Sequence, residues 1–147
     1  MPTTTLAADP TTIANRLRPA LLRLNRELRR EIHSLGVTGG QVSLLIKVQK
    51  EPGIGMRELA RWERMSTPGM SKYVARLESA GLVRRTELED RRRVGLEVTP
   101  EGTRVLSSVK RRRTTWLAER LRELDPTELD AVDAAVEPLL KLLAVEL

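Results

Sequence analysis

"MRELARWERMSTPGMSKYVARLESAGLVRR", residues 56–85, decides the fold. Met56, Leu59 and Ala60, with Trp62 as a further member, read as the inner side of a two-turn helix. Ser66 is a natural N-cap, Pro68 falls where a first-turn proline is tolerated, and Met70, Tyr73, Val74 and Leu77 form the next inner stripe before Gly81 stops the helix. A short helix, a tight link and a longer helix make a helix-turn-helix, whose second member conventionally enters the DNA major groove.

The residues after Gly81 turn this unit into a winged one. Leu82 to Glu87 reads as a strand, Leu88 to Arg92 as a turn, and Arg93 to Val98 as a returning strand with Val94, Leu96 and Val98 on one face. Thr99 and Pro100 supply the cap and first-turn proline of a long helix through Val105, Leu106, Val109, Trp116, Leu117 and Leu121. Asp125, Pro126 and Glu128 open a last helix with a stripe of Leu129, Val132, Val136, Leu139 and Leu143.

Upstream, Ile13, Leu17, Leu21, Leu24, Leu28, Ile32 and Leu35 recur at steps of three and four from Thr12 onward, predicting an amphipathic helix kinked at Pro19 and ended by Gly36. Thr38 to Gln41 spells a capping box for a helix through Leu44, Leu45 and Val48. "EPGIG", 51–55, reads as a turn, because a phosphate loop would need a third glycine and a preceding strand. The predicted organisation is one mainly α domain of about six helices with a small β-hairpin wing. Residues 1–11 form a tail, 12–50 and 100–147 supply flanking helices, and 53–99 form the winged lobe.

Composition narrows the function. The 147 residues suit one domain, and 26 Lys+Arg against 20 Asp+Glu give +6. Residues 57–113 hold 15 basic and 8 acidic side chains, whereas 114–147 hold 3 and 8, so positive charge gathers around the winged unit. A polyanion is the expected partner, and with two Trp, one Tyr and no Phe, duplex DNA suits better than stacked single strands. The chain has no cysteine, which removes disulfides, thiolate metal sites and thiol-based sensing. With no apolar run of membrane-spanning length and no leader pattern, a cytoplasmic location without membrane contact is expected.

"LARWERMSTPGMSKYVARLESAGLVRR" followed by "EDRRRVGLEVTPEG" resembles the MarR family of transcriptional regulators over roughly residues 12–145. The second stretch follows that family's wing pattern of Asp, any residue, Arg, five residues and Leu-Thr, as Asp90, Arg92 and Val98-Thr99, with valine in place of leucine. The resemblance implies a homodimer whose terminal helices interlock and whose two lobes share one DNA face. It also implies a repressor modulated by a small aromatic or phenolic effector, bound by residues that the sequence leaves unknown. Two recognition helices on one side of B-DNA enter major grooves roughly 34 Å apart, which calls for a near-palindromic operator.

Ser66, Thr67, Pro68, Ser71, Lys72 and Arg76 are the candidates for groove contact. The first three cluster at a helix N-terminus, where backbone N–H groups favour a phosphate. Lys72 and Arg76 suit either guanine edges or phosphates. At the wing tip, Arg92 matches the family's minor-groove arginine, Arg91 and Arg93 are expected on phosphates, and the resemblance gives Asp90 the role of holding the tip. A merely solvated charge run is the alternative for the tip. Arg84, Arg85 and the run Lys110 to Arg113 rank below these, with a solvated helix face preferred for the run.

No enzyme signature competes. The single His33 stands without a Ser or Asp constellation or enough partners for a metal, so no catalytic residue, cofactor or metal is assigned. Two other readings use the same charge: a weakly sequence-specific DNA-architectural binder held by phosphates, and a winged helix that engages only protein.

Overall fold

The computed structural model describes residues 8–87, 89 and 94–144. Within them, six α-helices surround a small antiparallel sheet, the winged-helix arrangement. Helix α1, Pro10–Arg30, begins earlier than the stripe suggests, because Asp9 caps it by accepting from the Thr12 N–H at 3.1 Å with Pro10 in the first turn. It runs through Pro19 as a single helix. It also ends earlier than expected: a 3-10 turn, His33–Leu35, and a left-handed Gly36 complete the segment. The apolar stripe from Ile13 to Leu35 therefore covers two environments. No residue of α1 itself is buried, whereas Ile32, just beyond it, is fully buried in the core.

Helix α2, Gly39–Lys50, carries the expected capping box. Thr38 Oγ1 accepts from the Gln41 N–H at 3.1 Å and Gln41 Oε1 accepts from the Thr38 N–H at 2.9 Å. Val42, Leu44, Leu45 and Val48 line its buried side. The "EPGIG" segment is more than a turn, since Ile54–Gly55 forms strand β1 and pairs with Gly95 and Leu96 of strand β3, Val94–Val98. A side chain at Gly95 would come within 2.6 Å of the Gly53 carbonyl oxygen, so glycine permits this close approach, which is sealed by Gly53 N–H donating to Leu96 O at 2.9 Å. Strand β2, Val83–Glu87, flanks β3 on the other side, giving the order β1-β3-β2.

Helices α3, Met56–Glu63, and α4, Thr67–Ser79, pack Leu59, Ala60, Met70, Val74 and Leu77 into one core with α2, Ile54, Leu82, Val83 and Leu96. Among the described residues this core buries no polar or charged residue. Burial falls off along the apolar face of β3: Leu96 is buried and Val98 half-buried, and Val94, at the outer end of the strand, is 42% exposed. Trp62 likewise lies outside the α3 stripe at 44% exposure, beneath Lys47 Nζ at 5.3 Å from the ring centroid.

Helix α5, Pro100–Leu121, joins the core through Leu106 and Val109, then leaves it. Helix α6, Pro126–Ala144, is opened by reciprocal bonds between Asp125 and Glu128, at 2.8 and 3.1 Å. Leu129, Val132, Val136, Leu140, Leu142 and Leu143 of α6 are exposed, as are Ile13, Leu21, Leu22 and Leu24 of α1.

The N-terminus of α5 is pressed against the base of the wing. A side chain at Gly102 would run into the Leu82 carbonyl oxygen and lie 2.7 Å from Val98 Cγ1. Gly102→Ala is therefore expected to destabilise the chain by ~1–3 kcal/mol through forced overpacking. A denaturant titration checks this, and an unchanged midpoint would show that the junction yields freely.

Candidate nucleic-acid interface

The loop before α4 is set by backbone geometry. Arg64 adopts a left-handed conformation, φ 56°, and Met65 N–H donates to Ala60 O at 2.8 Å, closing α3 so that the chain can enter α4. Ser66 Oγ then accepts from the Gly69 N–H at 3.1 Å and Ser66 O accepts from the Met70 N–H at 2.9 Å. Its hydroxyl still has a proton to donate outward. Thr67 and Pro68 are exposed in the first turn, at the positive end of the helix dipole.

Along α4, Met70, Val74 and Leu77 hold the helix down while Lys72, Ala75, Arg76 and Ser79 are exposed and Ser71 and Tyr73 are half-buried. Lys72 and Arg76, four residues apart, share one face, and neither makes an ion pair among the described residues. Ser66, the cap, with Thr67, Pro68, Lys72 and Arg76 thus form an exposed end and flank of a helix whose opposite side is core, and the half-buried Ser71 lies at its margin. The wing-tip candidates Asp90, Arg91, Arg92 and Arg93 lie outside the described residues.

The wing base holds two contacts that sequence reading misses. Arg84 donates through Nε and Nη2 to Glu97 Oε2, at 3.2 and 3.0 Å, across the β2–β3 register. Arg85 Nε donates to Glu78 Oε2 at 3.2 Å, tying β2 to the last turn of α4. The first is a consequence of the hairpin pairing once its register is known. The second joins residues that only the fold brings together.

The basic run on α5 divides. Lys110, Arg111 and Arg112 are exposed, as a solvated face requires, but Arg113 is half-buried and its Nε donates to Leu28 O at 3.4 Å. Burial, with a smaller contribution from the positive Arg29, pushes the Arg113 guanidinium below its ordinary pKa, although it stays charged near neutrality. Arg113 thus links α5 to α1. Glu31, Arg111, Arg112, Thr115, Trp116 and Glu119 line an open cleft of ≈ 390 Å³. His33 is exposed and absent from that lining, and among the described residues no group of three or more His, Asp or Glu converges on a metal-sized site. No helix among these residues is long and apolar enough to cross a membrane.

The Ser66 cap makes a direct prediction. Ser66→Ala should lower stability by about 1 kcal/mol and fray the first turn of α4. Thermal unfolding with amide exchange at Gly69 and Met70 checks it, and unaltered exchange there would remove the capping role.

Comparison with known proteins places this geometry. The MarR family model matches residues 37–94, from the start of α2 into β3. An HTH-type transcriptional regulator of Mycobacterium tuberculosis (strain CDC 1551 / Oshkosh) is 34% identical over 131 residues, covering 88% of this chain and 92% of that one. A Pseudomonas aeruginosa PA01 structure superposes with a TM-score of 0.78 at 30% identity, over 93% of this chain and 96% of the other. A MarR family protein from Bacillus stearothermophilus shares the fold at 22% identity and a TM-score of 0.78, over 94% and 99%. With the helix-turn-helix, the wing strands and the flanking helices all matched along nearly the whole chain, this protein belongs to the MarR family of winged helix-turn-helix transcriptional regulators, and is not an enzyme.

Proposed function

We propose that the chain acts as a homodimeric, sequence-specific repressor that binds near-palindromic duplex DNA in the cytoplasm. The observation that carries the reading is the exposed flank of α4, where Ser66, Thr67, Pro68, Lys72 and Arg76, with the half-buried Ser71 beside them, stand on a helix anchored by Met70, Val74 and Leu77. A rigid helix with one apolar and one cationic side suits insertion into a major groove. In this reading the N-terminal residues of α4 meet a phosphate, Lys72 and Arg76 reach base edges or phosphates, Arg92 enters the adjacent minor groove, Arg91 and Arg93 meet phosphates, and Asp90 holds the tip.

The dimer is supported by α1 and α6. Among the described residues neither buries a side chain within one chain, and both carry apolar rows that run for several turns, more than a monomer ordinarily leaves in water. A second copy covering these rows would present two α4 helices to one side of DNA. An aromatic or phenolic acid is the effector class in this reading; the cleft lined by Glu31, Arg111, Arg112, Thr115, Trp116 and Glu119 would set guanidinium groups against its carboxylate and the indole against its ring, beside two carboxylates of like charge. A ligand of this kind lowers DNA affinity only by preferring a lobe spacing that DNA does not accept.

Selection of bound sites from randomised duplex tests the reading as a whole. A near-palindrome with half-sites one helical turn apart is expected, and recovery of no preferred sequence would reduce the chain to a phosphate binder. Repeating the titration with 2-hydroxybenzoate checks the effector, and unchanged affinity with it and related acids removes that part. Arg92→Ala should weaken operator binding without altering the melting temperature. Lys72→Ala and Arg76→Ala should each cost ~1–3 kcal/mol on the cognate site where bases are read, and weaken all duplexes equally where only phosphates are met. Val136→Glu, in the middle of the α6 row, should convert dimers to monomers in light scattering and abolish tight operator binding, and a Val136→Glu chain that still sediments as a dimer would move the interface elsewhere.

A further inference from the structure

Helix α4 carries two basic residues, Lys72 and Arg76, and one acid, Glu78. Glu78 stands seven residues after Ser71 and three after Ala75, so it shares their flank of the helix. Its Oε2 accepts from Arg85 Nε at 3.2 Å, with the two side chains 40% and 41% exposed. On the opposite face of the sheet, Glu97 Oε2 accepts from Arg84 at 3.0 and 3.2 Å. Half-exposed pairs of this sort contribute little to stability. Their consequence is electrostatic: they neutralise one guanidinium group between the recognition helix and the wing and another on the opposite face of the wing strands.

Given the DNA-binding reading above, on which this inference rests, we propose that Glu78 and Glu97 are specificity-determining residues that withhold Arg85 and Arg84 from duplex phosphates. Phosphate contacts carry no sequence information, and each cation that reaches one strengthens binding to any duplex. A cognate complex is fixed in register by its base contacts. A non-cognate complex is free to settle wherever its cations find most phosphate, so two unrestrained arginines per lobe favour it disproportionately. The acids thereby hold down the background against which an operator must compete.

Glu78→Gln and Glu97→Gln, separately and together, test this on the full chain with a cognate and a scrambled duplex across a salt series. Each single variant should steepen the dependence of log K on log salt by ~0.9 per lobe, or ~1.8 for a two-lobed dimer. Binding to scrambled duplex should tighten several-fold, the cognate-to-scrambled ratio should fall, and the melting temperature should stay unchanged. Adding Arg85→Gln to Glu78→Gln should return the slope to that of the unaltered chain. An unchanged slope, a weakened scrambled complex, or a steep slope that persists without Arg85 would overturn the inference. A parent chain that binds no duplex at low salt would instead remove the DNA-binding reading itself, which keeps the two failures apart.

Discussion

Thr99 stitches together three elements that the apolar core also joins. Its Oγ1 donates to Gly81 O at 2.6 Å and accepts from the Gly102 N–H at 3.0 Å, while its backbone N–H donates to Leu82 O at 3.0 Å. Gly81 and Leu82 close α4 and open β2; Gly102 lies in the first turn of α5. A hydroxyl that donates and accepts at once fixes the recognition helix, the wing base and the long helix in one geometry. The end of α4, the base of the wing and the start of α5 are therefore joined directly through one residue.

The parts of the fold written in local chemistry were legible in the sequence. Thr38, Ser66 and Thr99 all cap the helices their positions announce, since a cap needs only a side-chain oxygen and the next three residues. Strand β1 was not legible, because two residues carry no periodicity and the pairing depends on Gly95, far along the chain. The exposure of Val94 was not legible for a related reason: alternation gives the face of a strand but not where along it the core ends. The stripes of α1 and α6 were legible as apolar, yet the pattern is the same whether the covering surface belongs to the chain's own core or to another molecule.

The candidate interface divides along the same line. The α4 residues are placed by helical periodicity about a stripe that proved buried, so Lys72 and Arg76 were identifiable as exposed. The arginines of the wing base were identifiable only as positive. Arg84 and Arg85 each face a carboxylate, and Arg113, which looked like part of a solvated run, is drawn against the Leu28 carbonyl. Counting charge along the chain overstates the positive field here, because a cation's effect depends on what stands within a few ångströms of it.

The strand order β1-β3-β2 leaves both outer edges of the sheet poorly suited to recruiting a further strand. One edge is only two residues long, and the other carries Arg84, Arg85 and Glu87. Short and charged borders of this kind discourage the edge-to-edge growth by which exposed sheets polymerise. Pairing between copies through these two described edges is therefore disfavoured.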